Sequence, residues 1–156
     1  MSDSSHIVAI IPARFGSTRF PGKPLAIVGG VPMIKRVYRR VTGSGVVDRV
    51  VVATDDVRIK DVVDGFSGEV VMTKVECENG TLRCCDAMQQ IDPKPDAIIN
   101  VQGDEPFVHP EQLKSLVELI KKPDARIATL AHPMKASDPG REDINRVKVV
   151  RDENGR

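Results

Sequence analysis

Aromatic residues are scarce in this chain, and their scarcity narrows the functions to consider. Only 3% of the 156 residues are Phe, Trp or Tyr, and tryptophan is absent. Proteins that bind single-stranded nucleic acid stack bases on such side chains, so the composition disfavours that class. A net charge of +1, from 23 basic and 22 acidic residues, gives no overall basic field either. We therefore expect no nucleic acid among the partners of this protein.

Long apolar runs and a disulfide framework are also missing. The run Ile7–Ile11 is far too short to cross a bilayer, and the polar residues before it do not resemble a signal peptide. The three cysteines are Cys77, Cys84 and Cys85, an odd set in which two are adjacent, so neither disulfides nor a complete zinc site is indicated. We expect reduced thiols, with Cys84 and Cys85 buried and unreactive, in a cytoplasmic protein without a membrane partner.

The composition that is present is that of an ordinary globular protein, 40% hydrophobic and 29% charged. A chain of this length can bury one core, which predicts a single domain over residues 1–156. Apolar, β-branched runs predict six strands: Ile7–Ile11, Arg49–Thr54, Glu69–Met72, Asp96–Val101, Ile127–Ala131 and Val147–Arg151. Caps and amphipathic spacing predict four helices, which begin near Pro32, Asp56, Thr81 and Pro110.

Alternation of strands and helices is typical of βαβ units. It predicts an α/β, Rossmann-like fold, with a mostly parallel sheet and helices on both faces. Residues 152–155 have the composition of a hairpin turn, but no second strand follows them. We therefore expect the carboxyl-terminal part of the fold to be missing from this chain.

We call the segment after the first predicted strand, residues 12–24, the cationic loop. Its sequence, PARFGSTRFPGKP, contains Arg14, Arg19 and Lys23 but no acidic residue. Ligands of open α/β sheets bind at the carboxyl ends of strands, where this loop lies. Three cations there, with glycine N–H groups and the Ser17 hydroxyl nearby, suit a polyanion such as a triphosphate. The Walker A and Rossmann glycine patterns are absent, and a solvated basic loop is the alternative.

We call residues 102–106, which follow the fourth predicted strand, the acidic loop. Its sequence is QGDEP, and it falls at the same edge of the sheet as the cationic loop. Mg²⁺ binds carboxylate oxygens together with water and phosphate, so Asp104 is the first candidate ligand and Glu105 the second. The alternative is a turn whose acidic side chains face solvent or cap locally. Its position opposite the cationic loop favours a metal–nucleotide site.

Two long motifs resemble the CMP-Kdo synthetase family, the 3-deoxy-manno-octulosonate cytidylyltransferases. They are IIPARFGSTRFPGKPL at Ile10–Leu25 and NVQGDEP at Asn100–Pro106. Shorter matches at Val51–Asp56, Ile127–Met134 and Val147–Val150 extend the resemblance over nearly the whole chain. The resemblance implies a fold of the nucleotide-diphospho-sugar transferase type.

The resemblance also implies a reaction between CTP and Kdo. The anomeric 2-hydroxyl of Kdo attacks the α-phosphorus of CTP, pyrophosphate leaves, and CMP-Kdo is formed for lipopolysaccharide biosynthesis. By the same resemblance Arg14 and Lys23 neutralise the triphosphate, Asp104 holds Mg²⁺, and Gln102 contacts the sugar. The first motif, together with a further matching segment at residues 79–83, implies nucleotide binding by Ala13, Arg14, Ser17, Arg19, Lys23, Gly80, Thr81 and Arg83. The resemblance implies catalytic roles for Arg14, Lys23 and Asp104.

Residues 79–83, NGTLR, depart from the family's Ser-Gly-Thr-Asp/Glu-Arg pattern at two positions. Asn79 replaces the serine and Leu82 replaces the acid, which bears on recognition of the cytosine side of the nucleotide. The alternative is structural: Asn79 caps a helix and Leu82 packs on its buried face.

Members of this family continue well past the strand that corresponds to Val147–Val150. The further part carries a second metal-binding Asp, much of the Kdo pocket and the contacts of a homodimer. We therefore expect this chain alone to bind CTP weakly and to turn over slowly or not at all. Two alternatives stay open: a related cytidylyltransferase for another acidic acceptor, such as a sialate-like sugar or a phosphonate, and a non-catalytic nucleotide-binding module.

Overall fold

A computed structural model describes residues 5–16, 20–150 and 153 of the protein. Four parallel strands form the central sheet: β1 (Ile7–Ala13), β4 (Arg49–Thr54), β5 (Val70–Met72) and β6 (Ala97–Asn100). A small antiparallel hairpin consists of β2 (Ile27–Val28) and β3 (Val31–Pro32). The helices are α1 (Met33–Thr42), α2 (Val57–Asp64), α3 (Gly80–Gln90) and α4 (Pro110–Ile120), with 3₁₀ turns at Lys23–Leu25 and Pro139–Arg141.

The sheet has the order β5-β4-β1-β6, so β1 lies in its interior. β1 pairs with β4 on one side and with β6 on the other, and the side chains of Ile7–Ile11 are buried on both faces. Continuous β-branched runs such as this one are typical of parallel strands that are covered on both sides. Because all four strands run in the same direction, their carboxyl ends meet at one edge of the sheet.

Helix α3 covers one face of the sheet, and helices α1, α2 and α4 cover the other. On the first face, Cys84 and Ala87 belong to the same buried cluster as Val8 and Ile10 of β1. The helical residues buried on the second face are Ile34, Val37, Val41, Ile59, Val63, Leu113 and Val117. The predicted α/β class, with a parallel sheet between two helical layers, is confirmed.

The starts of the helices follow the capping residues of the sequence. At α2, the Asp56 carboxylate accepts a hydrogen bond from the backbone N–H of Arg58 at 3.0 Å. Helix α4 begins at Pro110 as predicted, and the Gln112 side chain accepts from the backbone N–H of His109 at 2.8 Å. Such bonds satisfy N–H groups that have no partner within the helix.

The last two predicted strands are wrong. Residues 127–131 and 147–150 form neither helix nor strand, and Arg151 lies outside the described residues, as does most of the turn predicted at 152–155. Ile127, Val147 and Val150 are 90%, 92% and 88% exposed. β-Branched composition favours a strand only where neighbouring strands and a covering layer accept it, and the described part of this chain offers these segments neither.

Cys84 is buried as expected, whereas Cys85 is exposed, so the expectation of two buried thiols is wrong for Cys85. Burial raises the pKa of the Cys84 thiol to about 12, which keeps this group protonated at neutral pH. No helix in the described ranges is both long enough and apolar enough to traverse a bilayer.

Candidate functional site

An open cleft of about 630 Å³ lies at the carboxyl edge of the sheet. The end of β1 with the cationic loop, the acidic loop after β6, and the start of α3 form its walls. Seven of the predicted site residues line it: Ala13, Arg14, Lys23, Gly80, Arg83, Gln102 and Asp104. Two loops separated by about eighty residues of chain therefore converge on one cavity, as their positions after parallel strands predict.

Lys23 and Asp104 make the contact that closes the two loops on each other. The Lys23 ammonium donates a hydrogen bond to Oδ2 of Asp104 at 2.6 Å. Their side chains are 39% and 47% exposed, so both remain open to the cleft and to water. A half-exposed ion pair of this kind adds little to stability, and a ligand that offers each charge a better partner can separate it.

Gly103 allows the acidic loop to approach the end of β1. A Cβ at this position would lie 2.9 Å from the backbone oxygen of Pro12, which is closer than packed atoms permit. Only a residue without a side chain fits, and the close approach places Gln102 and Asp104 directly beside the cationic loop.

The start of α3 forms the third wall. Asn79 precedes the helix, and its Oδ1 accepts a hydrogen bond from the backbone N–H of Leu82 at 2.9 Å. A Cβ on Gly80 would lie 3.9 Å from Oε1 of Gln102, which shows how close the helix start comes to the acidic loop. The positive end of a helix, together with the nearby cations, suits an anionic ligand.

The structural interpretation of residues 79–83 is correct for Asn79 and wrong for Leu82. Asn79 does cap the helix, but Leu82 is 48% exposed and does not pack on a buried face. The position occupied by the family's acid is a solvent-facing one here. Thr81 lies in the first turn of α3 and is exposed, outside the residues that line the cleft.

Replacing Asn79 by Ala should lower the free energy of unfolding by about 1 kcal/mol, because the Leu82 N–H loses its partner. Asn79→Ser is the matched control, since a serine hydroxyl can accept the same bond. Urea denaturation of the three proteins measures the effect. An equal loss in both variants would show that the cap is not the cause.

Arg83 lines the cleft, but its guanidinium is already bound to protein groups. One terminal nitrogen donates to the Thr73 hydroxyl at 2.6 Å, and the other to the Asp55 carboxylate at 2.8 Å. The Arg83 side chain is only 3% exposed. These bonds join the ends of β4 and β5 to α3. They indicate that Arg83 supports the wall of the cleft and does not itself bind the ligand.

Sequence reasoning missed two sets of contacts near the cleft. One is the Asp55–Arg83 pair, and the other places the Arg58 guanidinium over the Phe15 ring. Asp55 and Asp56 follow β4 at the same edge of the sheet as the two loops, but the sequence does not show which residues contact them. Ser17 and Arg19 of the cationic loop lie outside the described residues, and Glu105 is exposed but does not line the cleft.

A family model of cytidylyltransferases matches residues 8–156. The 3-deoxy-manno-octulosonate cytidylyltransferase of Porphyromonas gingivalis is 48% identical over 155 residues, which are 97% of this chain and 60% of that protein. The relative of the same name from Parabacteroides distasonis is 47% identical over 94% of this chain and 59% of its own length. This chain thus spans about 60% of the length of these two relatives. A relative from Arabidopsis thaliana is named as mitochondrial, and the cytoplasmic location stays a prediction.

Solved structures give the same picture. A CMP:2-keto-3-deoxy-manno-octonic acid synthetase complexed with CTP is 42% identical, with a TM-score of 0.71 over 75% of this chain and 48% of that one. A cytidylyltransferase from Leptospira borgpetersenii is 25% identical, with a TM-score of 0.64 over 74% of this chain and 48% of its own. The resemblance inferred from the two long motifs is confirmed.

Proposed function

The chain belongs to the cytidylyltransferase family, and on this premise we propose that it acts in the transfer of CMP from CTP to the anomeric hydroxyl of Kdo. The products would be CMP-Kdo and pyrophosphate, for lipopolysaccharide biosynthesis. Curated relatives that share 46–48% of its residues carry the name 3-deoxy-manno-octulosonate cytidylyltransferase. Their similarity supports Kdo as the acceptor over a sialate-like sugar or a phosphonate.

The observation that carries this proposal is the meeting of Lys23 and Asp104 across the cleft. Arg14, from the end of β1, lines the same cavity and is exposed to it. A cleft with two cations on one wall and a carboxylate on the other has the charge pattern of a site for a triphosphate and its metal ion.

The donor set of the cleft fits Mg²⁺. Three or more His, Cys, Asp or Glu side chains do not cluster as metal ligands anywhere in the described part of the chain, but Mg²⁺ on nucleotides needs only one or two carboxylates besides phosphate and water. The Asp104 carboxylate is half-exposed and already holds a cation, the Lys23 ammonium, at 2.6 Å. We propose that Asp104 holds Mg²⁺ when nucleotide binds.

Transfer of this kind depends mainly on positioning and on charge stabilisation. The Kdo 2-hydroxyl oxygen bonds to the α-phosphorus as the bond from that phosphorus to the β-phosphate bridging oxygen breaks. Pyrophosphate keeps the electron pair, and the hydroxyl proton passes to solvent. Arg14 and Lys23 neutralise the charge that moves onto pyrophosphate, and Gln102 orients the sugar. When bound, Mg²⁺ would be held by Asp104 and would offset the negative charge of the triphosphate.

Two measurements on this chain test the proposal. Calorimetric titration with CTP, with and without Mg²⁺, reports nucleotide binding, and a coupled pyrophosphate assay compares Kdo with N-acetylneuraminate as acceptor. Binding with pyrophosphate release on Kdo alone supports the proposed reaction, whereas release on the sialate would favour the related transferase. CTP binding without pyrophosphate release on either acceptor would favour a nucleotide-binding module. A folded protein that does not bind CTP would contradict the proposal.

Lys23→Met should weaken CTP binding in the presence of Mg²⁺ by about tenfold or more, because a hydrogen bond to a charged group contributes about 1.5–3 kcal/mol. The matched control is Lys60→Met on α2. The Lys60–Asp64 pair has the same side-chain exposures as the Lys23–Asp104 pair, 39% and 47%, but does not line the cleft. An unchanged dissociation constant in Lys23→Met would place this lysine outside the phosphate site.

A further inference from the structure

Arg58, in the first turn of α2, is held between a carboxylate and an aromatic ring. Its Nε and one terminal nitrogen donate to the two oxygens of Asp56 at 2.9 and 2.6 Å. Its guanidinium carbon lies 3.4 Å from the centre of the Phe15 ring. The hydrogen bonds from Arg58 lower the pKa of Asp56 below its ordinary value of 3.8, so both groups are charged at neutral pH.

Phe15 lies near the start of the cationic loop and contacts Gly22 near its end. Its backbone oxygen accepts a hydrogen bond from the Gly22 N–H at 2.8 Å, which closes the loop just before Lys23. Gly22 has a φ of 71°, and a Cβ there would lie 3.0 Å from Cε2 of the Phe15 ring. The ring therefore contacts Arg58 on its face and also lies close to Gly22.

These contacts form a continuous chain from α2 to the cleft. Asp56 is fixed as the cap of α2, Arg58 is fixed by Asp56, and the Phe15 ring lies beneath Arg58. Gly22 packs on Phe15, and the next residue is Lys23, which reaches Asp104. Arg58 itself is not among the residues that line the cleft.

We propose that Arg58 is a positioning residue, which holds Phe15 and, through Gly22, keeps Lys23 in the position that presents it to the triphosphate. This inference rests on the proposed function of the cleft. A lysine whose neighbouring backbone is already held loses less conformational entropy when ligand binds, so Arg58 raises affinity without touching the ligand. Arginine suits the task because its planar fork pairs with a carboxylate while its face stacks on a ring.

The first test measures the loop directly and needs no nucleotide. Hydrogen exchange of the Gly22 amide, followed by NMR, should speed up about two- to fivefold in Arg58→Met, as expected for loss of an exposed cation–π contact. Lys60→Met is the control, since it removes a cation two residues further along the same helix without touching Phe15. Unchanged protection of Gly22 in Arg58→Met would overturn the inference even if CTP binds.

The second test is a double-mutant cycle on CTP affinity. Arg58→Met should weaken CTP binding about two- to fivefold, with thermal unfolding close to that of the unaltered protein. In a Phe15→Leu background the same change should have almost no further effect, because Arg58 acts through the ring. An effect of equal size in both backgrounds would show that Arg58 acts through its charge, and would overturn the positioning role.

The two proposals fail in different ways. If the chain does not bind CTP while Gly22 exchange still depends on Arg58, the nucleotide site is wrong and Arg58 anchors a loop of another purpose. If CTP binds and neither Gly22 exchange nor affinity responds to Arg58→Met, the nucleotide site stands and the positioning role is wrong. Where Arg58→Met does have an effect, Arg58→Lys tests its cause: it keeps the charge but loses the planar stack, and should behave more like Arg58→Met than like the unaltered protein.

Discussion

Asp104→Asn is expected to abolish the gain in CTP affinity that Mg²⁺ brings, and to lower any Mg²⁺-dependent pyrophosphate release at least about 100-fold. Asparagine keeps the size of the side chain but has no negative charge for a hard cation. Without metal, Asp104→Asn is not expected to weaken CTP binding. Asp104 is paired with Lys23 at 2.6 Å, so the substitution frees Lys23 and removes a charge that repels phosphate. Metal-free CTP should then bind as tightly as before or more tightly.

Asp64→Asn is the matched control for this prediction. Asp64 has the same side-chain exposure as Asp104, 47%, and also pairs with a lysine, but it does not line the cleft. Calorimetric titrations with CTP, with Mg²⁺ and with chelator, measure the six affinities of the unaltered protein and the two variants, and thermal unfolding checks that both variants remain folded. A normal Mg²⁺ effect in Asp104→Asn would remove this residue from the metal site, and weaker metal-free binding would make its contact with Lys23 structural.

The sequence predicts correctly those strands that find a neighbouring strand to pair with in the folded protein. Arg49–Thr54 was predicted to the residue, because a buried parallel strand must be apolar on both faces and charged residues flank this run. Ile127–Ala131 has a similar composition but forms no strand. The difference lies in tertiary partners, since β1 and β5 pair with Arg49–Thr54. Residue composition does not report which neighbours will be available.

The cleft itself was predictable because its position follows from topology. The end of a parallel strand faces the ligand edge wherever the strand lies in the sheet. Lys23 and Asp104 could thus be assigned to one edge without knowing the distance between them. The roles of Arg58 and Arg83 could not, because each depends on a partner 28 or more residues away, Asp55 for Arg83 and Phe15 for Arg58. Such pairs leave no local pattern in the sequence.

Arg83→Met is expected to lower the free energy of unfolding by about 3 kcal/mol, because it breaks a buried ion pair by removing one partner. The Arg83 side chain is 3% exposed and that of Asp55 is 17% exposed, so the carboxylate left behind recovers little hydration. The Thr73 hydroxyl loses its bond as well. Urea denaturation measures the change, and the double variant with Asp55→Asn should lose less than the sum of the two single variants.

Arg49→Met provides the comparison that separates burial from pairing. Arg49 also forms an ion pair, with Glu69, but the side chains are 31% and 35% exposed, so its loss should cost less than about 1 kcal/mol. Measurements on Arg83→Met and Asp55→Asn also decide between a supporting and a phosphate-binding role of Arg83. If Arg83 holds α3 against the ends of β4 and β5, Arg83→Met lowers the free energy of unfolding. A folded Asp55→Asn protein then loses CTP affinity too, since the wall of the cleft has shifted. If Arg83 instead binds phosphate directly, Arg83→Met leaves stability within about 0.5 kcal/mol and lowers CTP affinity, while Asp55→Asn frees the guanidinium and leaves binding intact.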